Sequence, residues 1–202
     1  MTTQIILASA SPARAKLLKD AQIPHVVAIS GVDEEDEKYS TLSPSQLVGI
    51  LAMAKAQAVA GQNSDAKALV IGADSTLEFQ GRAMAKPQTP DVAIAWWRNY
   101  VGKTGLLHTG QVVIDTSKGK AVSALSTTEI TFADLSEDEI LDYVATTEPL
   151  HLAGGASLDG IGSPYIAHIS GDATGVLGLS MNHLRIQCAE LGYPWHSLRV
   201  KP

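Results

Sequence analysis

The chain is poor in sulfur, in positive charge and in long apolar runs. Cys188 is the only cysteine among 202 residues, which excludes an internal disulfide framework and a thiolate-rich metal site. Its spacing from Leu184 and Leu191 places it in the core of a helix. Lys and Arg total 15 against 21 Asp and Glu, a formal net charge of −6. A nucleic-acid polymer, bound mainly through neutralised phosphates, is therefore not an expected partner. One small anion needs only a local basic cluster. No uncharged stretch approaches the ~20 apolar residues of a membrane span. Met1-Thr2-Thr3-Gln4 carries no basic region, and the apolar run behind it, Ile5 to Ala8, is short. The expectation is a cytoplasmic protein with no membrane partner.

Several ligand signatures are missing as well. The glycine-rich run 153–162, AGGASLDGIG, lacks P-loop spacing, and no GxGxxG opens a helix after a predicted strand. The six histidines form no HExxH pair, and a lone histidine is more often structural than a ligand. No repeat, low-complexity segment or linker is visible. With 45% apolar residues, the chain can build a substantial core, and its length predicts a single domain over 1–202.

What is present alternates. Ile5 to Ala8 predicts a buried strand, and the serines of SASP cap a helix from Pro12 to Ala21. Val26 to Ile29 predicts a second strand, which empties into an acidic loop over 33–37. Ser43, Pro44 and Gln46 form a capping box for a long helix with Leu47, Leu51, Ala54 and Ala58 on one face and Lys55 beside that stripe. Ala68 to Ile71 predicts a strand ending in the turn GADS, followed by a hairpin at Gln80-Gly81. Thr89 to Gly102 brackets a helix in which Trp96 and Trp97 are packing residues, with dimer contact the alternative. Val112 to Ile114 and Val122 to Phe132 predict antiparallel strands about a turn at 117–119. Ser136 and Glu139 form a second capping box, with Leu135 and Ile140 as its staple. A strand near Ile166 and a helix from Met181 to Leu191, stopped by Gly192 and Pro194, complete the pattern. The class is α/β with an α+β-like mixed sheet.

A strand handing over to a helix at SASPAR suits a phosphate. The free N–H groups and the dipole attract it, and Arg14 adds bidentate bonds. A merely capped helix with a solvated arginine reads the same way. Asp74, after a buried strand, stands where sites in open α/β sheets collect, although turn formers stand there too. The acidic run reads as a solvated loop or as carboxylates for Mg²⁺, and Lys55 and Lys86 as flank and turn residues or as phosphate cations. Taken together, Arg14, Lys55, Lys86, Glu34 and Asp74 are the ingredients of metal-assisted chemistry at a polyphosphate.

Four segments in register resemble the Maf-like nucleoside triphosphate pyrophosphatases: LASASPARAKLL at 7–18, IGADSTLEF with AKP within 71–87, LLHTG at 106–110, and the stretch from EPLHLAGG through GVLGLS at 148–180. The resemblance spans nearly the whole chain. It implies an elongated mixed sheet flanked by helices, with two lobes around a substrate cleft, and often a homodimer. It implies hydrolysis of an NTP or dNTP, standard or modified, to monophosphate and pyrophosphate with Mg²⁺ or Mn²⁺. By matched position, Asp74, Lys55 and Lys86 take the catalytic places, and Glu34 and Asp74 the metal places. Ser9, Ser11 and Arg14 match the phosphate loop, and Ala13, Ser75 and Asp159 the positions linked to base selectivity. The chain departs from the family pattern in having Ala13 in place of a first arginine, Ala85 in place of a glycine and Gly175 in place of an asparagine. The expected chemistry is in-line attack of a metal-activated water on the α-phosphorus, with Asp74 as base or ligand. Two rivals remain: a non-catalytic nucleotide-binding regulator linked to cell division, and a hydrolase of sugar nucleotides or phosphate esters.

Overall fold

The computed structural model describes residues 3–63 and 67–200, which leaves Met1 and Thr2 of the N-terminal reading outside them. Seven strands form one open mixed sheet: β1 (Gln4–Leu7), β2 (Val26–Val27), β3 (Ala68–Phe79), β4 (Arg82–Met84), β5 (Thr104–Asp115), β6 (Lys120–Phe132) and β7 (Ile166–Ser170). The order is β2-β1-β3-β5-β6-β7, with β4 on β3. β2, β1 and β3 run parallel, and every other pair is antiparallel. The helices are α1 (Pro12–Asp20), α2 (Pro44–Gln62), α3 (Pro90–Tyr100), α4 (Glu137–Ala145), α5 (Ala173–Val176), α6 (Met181–Glu190) and α7 (Trp195–Leu198). Among the described residues no helix is long and apolar enough to cross a membrane.

Local signals set the helix starts. Both capping boxes close as expected, Ser43 with Gln46 and Ser136 with Glu139, each satisfying two otherwise free N–H groups. Other expectations need correction. β3 does not stop at Ile71 but continues through GADS to Phe79, because Gly72 serves close packing and not a turn. β5 begins at Thr104, so LLHTG lies within a strand. Pro194 does not only end a helix; it stands at the N-cap position of the short α7.

Two hydrophobic cores share one face of the sheet. Leu69, Ile71, Ala73 and Val113 pack with Leu18 of α1 and Leu184 and Cys188 of α6. Burial pushes the Cys188 thiol up to about 12, so it serves as a small apolar side chain. Farther along the same strands, Leu77, Phe79, Leu107 and Ile130 pack with Trp97 of α3 and Tyr143 of α4. Side chains alternate along a strand, so Ser75 falls on this face between Ala73 and Leu77. It pairs in register with Thr109, which pairs with Ser126. A stripe of hydroxyls thus crosses the sheet between the two cores.

In the second core the indole of Trp97 donates to the Gly155 carbonyl at 2.9 Å. The buried Tyr100 hydroxyl has no hydrogen-bond partner among the described residues, although its ring stacks on Phe132 at 4.5 Å. An unpaired buried hydroxyl costs about 1 kcal/mol or more. Tyr100→Phe is therefore expected to raise stability by about 1 kcal/mol, a few degrees in thermal midpoint for a chain of this size. A lower midpoint in thermal unfolding would show that the hydroxyl is satisfied.

Candidate active site

One edge of β3 is only partly covered. β1 pairs with it over 68–71 and β4 over 77–79, while β5 covers the opposite edge from 69 to 78. The stretch 72–76 therefore faces an opening, and Asp74 and Ser75 project from it to opposite faces of the sheet. A cavity of about 650 Å³ lies here, and all ten residues singled out in the sequence line it: Ser9, Ser11, Ala13, Arg14, Glu34, Lys55, Asp74, Ser75, Lys86 and Asp159. Leu77, Leu107, Ile130 and Ile166 line another part of the same cavity, which makes it apolar there.

Lys55 reaches Asp74 through α2. The buried face of that helix is Val48, Leu51, Ala52, Lys55, Ala56 and Val59, not the expected Leu47, Leu51, Ala54 and Ala58, of which Leu47, Ala54 and Ala58 are half-buried. Lys55 lies within the buried stripe. Its Nζ is 2.7 Å from Asp74 Oδ1 and 2.7 Å from Glu34 Oε1. Burial raises the Asp74 carboxyl above the ordinary aspartate range, while Lys55 and then Arg14 pull it down. Within the acidic run, Glu34 alone lines the cavity. Asp33 accepts from the Glu35 N–H and Asp36 from the Lys38 N–H, so both serve local turns.

Arg14 is 8% exposed, and burial lowers its pKa against the opposing pull of Asp74 and Glu34. Nε donates to the Gly178 carbonyl at 2.7 Å, Nη1 to Ser9 Oγ at 2.9 Å and Nη2 to Ser75 Oγ at 3.1 Å. A guanidinium has five N–H groups. One on each terminal nitrogen thus has no partner among the described residues, and Arg14 lines the cavity. Ser11 caps α1 through the Arg14 N–H. Lys86 is exposed. Asp159 accepts from Ser157 in the loop after the glycine pair.

Sequence reasoning gave no role to Thr109 or to the carbonyls of Gly175 and Gly178. LLHTG was the available signal for Thr109, but only strand register shows its neighbours. Gly175 has a local reason: a β-carbon there would lie 2.5 Å from Ser126 Oγ, so α5 sits too close to β6 for a larger residue unless Ser126 gives way.

Among the described residues no group of three His, Cys, Asp or Glu could hold a metal alone. Glu34 and Asp74 nevertheless converge on one point, now held by an ammonium. That donor set fits a cation that takes one or two carboxylates and completes its shell with phosphate oxygens and water.

The family model described as Maf-like protein matches residues 4–191. A protein of Streptomyces coelicolor named nucleoside triphosphate pyrophosphatase is 45% identical over 189 residues, covering 94% of this chain and 91% of its own length. One of the same name from Synechococcus sp. is 46% identical over 185 residues, covering 90% and 96%. Another from Salinispora tropica is 43% identical over 194 residues, covering 95% and 85%. With the Asp74, Lys55 and Arg14 segments all inside the matched range, the chain belongs to the Maf-like protein family.

Proposed function

We propose that the chain is a nucleoside triphosphate pyrophosphatase, converting an NTP or dNTP, standard or modified, to monophosphate and pyrophosphate with Mg²⁺ or Mn²⁺. The observation that carries this reading is one cavity with a charged cluster of Asp74, Lys55, Glu34 and buried Arg14 and a separate aliphatic lining at Leu77, Leu107 and Ile130. A nucleotide has the same division between charge and apolar ring. The names of the relatives support the same activity.

Asp74 is the residue that takes the proton of the attacking water. Its 2.7 Å contact to Lys55 holds the carboxylate in place. Lys55, Lys86 and Arg14 offset charge on the phosphates and on the departing pyrophosphate, with Ser9 and Ser11 beside them. Glu34 and Asp74 would hold the divalent cation, which when bound withdraws charge from phosphate oxygens. Ala13, Ser75 and Asp159 meet the remainder of the nucleotide and bear on its selection.

The test is to incubate the protein with a panel of normal and modified nucleoside triphosphates, with Mg²⁺, Mn²⁺ or chelator, and to identify products by chromatography. Monophosphate and pyrophosphate in equal amounts, lost with chelator, are expected. Orthophosphate as the leaving product would overturn the reading in favour of another phosphohydrolase. Tight nucleotide binding with no product would favour the regulator.

A further inference from the structure

The hydroxyl stripe has a fixed direction. Thr109 is fully buried, and its Oγ1 lies 2.7 Å from the Gly175 carbonyl. A carbonyl only accepts, so the single Thr109 proton is committed to Gly175. The 2.9 Å contact between Ser75 Oγ and Thr109 Oγ1 must then be a bond donated by Ser75. Ser75 in turn accepts from Arg14 Nη2 at 3.1 Å. The chain of bonds runs one way, from Arg14 through Ser75 and Thr109 to Gly175.

Its far end is anchored. Asp172 caps α5 by accepting from the Gly175 N–H at 3.0 Å and from Thr174 at 2.7 Å. The Asp172 N–H donates to Thr128 Oγ1 at 2.9 Å. The same segment supplies the Gly178 carbonyl to Arg14 Nε. The guanidinium is thus held at Nε directly and at Nη2 through two hydroxyls, both contacts tracing back to 172–178.

We propose that Thr109 is a positioning residue for phosphate recognition: by accepting the Ser75 proton it turns the Ser75 oxygen toward Arg14 and sets the plane of the guanidinium. The proposal rests on the reading that Arg14 meets phosphate. A bidentate guanidinium contact depends on that plane, and a buried arginine free to rotate loses it. A corollary concerns Ser75, whose proton is already used, so it can only accept a bond from a bound nucleotide.

The experiment measures the affinity of inorganic tripolyphosphate, with Mg²⁺ present, for the parent, Thr109→Val, Thr109→Ser, Ser75→Ala and the double variant Thr109→Val/Ser75→Ala. Thr109→Val keeps the shape and removes the acceptor. Its affinity is expected to fall about tenfold, because the bond from the charged Arg14 to Ser75 loses its orientation, while Thr109→Ser stays within about twofold of the parent. Ser75→Ala should lose a similar factor and the double variant no more than either single one, because both cut the same chain. Thermal midpoints identify any variant that fails to fold. If Thr109→Val does not fold, Thr109→Ala, which removes the same acceptor, takes its place in the comparison. Parent-like affinity in Thr109→Val, fully additive losses, or no affinity in the parent would overturn the proposal. The titration needs no turnover: a protein that binds through this chain and consumes no nucleotide would overturn the proposed activity alone.

Discussion

Asp74→Asn is expected to lower turnover of a nucleoside triphosphate roughly a thousandfold, within the range usual for loss of a general base, in a protein that remains folded. The amide has the volume of the carboxylate and can still accept from Lys55, whose contact to Glu34 at 2.7 Å is untouched. What it cannot do is take a proton. Only ionised Asp74 can act, and burial raises its pKa above the ordinary aspartate range. An acid limb in kcat/KM that belongs to Asp74 should be absent from any residual activity of the variant. The stability effect has the opposite sign. A carboxyl raised by folding contributes fully below its unfolded pKa and loses that contribution as pH rises through the folded value. Asp74→Asn is accordingly not expected to lower the neutral-pH midpoint. Turnover within a few-fold of the parent would remove Asp74 from the mechanism.

Replacing Gly72 by alanine should cost about 3 kcal/mol and lower the thermal midpoint by roughly 6–12 °C. A β-carbon at Gly72 would lie 2.2 Å from the Ala52 carbonyl oxygen and 2.7 Å from the Ala56 nitrogen. At Gly110 it would lie 2.5 Å from the Val48 carbonyl oxygen. These are backbone atoms of a helix, so no rotamer change relieves the clash and α2 itself must move. Lys55 moves with it, so activity should fall further than the fraction unfolded accounts for. Gly49, in the second turn of α2, provides the contrast. Nothing lies within 4 Å of its would-be β-carbon, and Gly49→Ala should gain up to about 1 kcal/mol from helix propensity. Urea unfolding of the three variants checks this, and an equal effect at all three positions would refute the close-packing account.

Part of the candidate cavity lining was legible because some motif residues are near neighbours in sequence. SASPAR places Ser9, Ser11 and Arg14 at one strand-to-helix junction, and all three line the cavity. Within the acidic run the family resemblance pointed to Glu34, but residue chemistry alone did not separate it from its neighbours. Which of its members reaches Lys55 depends on how the loop lies over α2, and that choice falls to Glu34. The buried face of α2 was misjudged for a related reason. Periodicity in an alanine-rich helix is weak, and two glycines on the sheet decided which alanines it faces.

By itself, the sequence determined the helix starts, the apolar strand segments and the residue types available for chemistry, since each depends on groups within a few positions of one another. Only the tertiary structure decided that β3 runs unbroken through Asp74, that its uncovered edge becomes the cavity wall, and that Ser75, Thr109 and Ser126 align across three strands. Those outcomes rest on the pairing of segments tens of residues apart, where register and close approach select one arrangement among many compatible with the same local pattern.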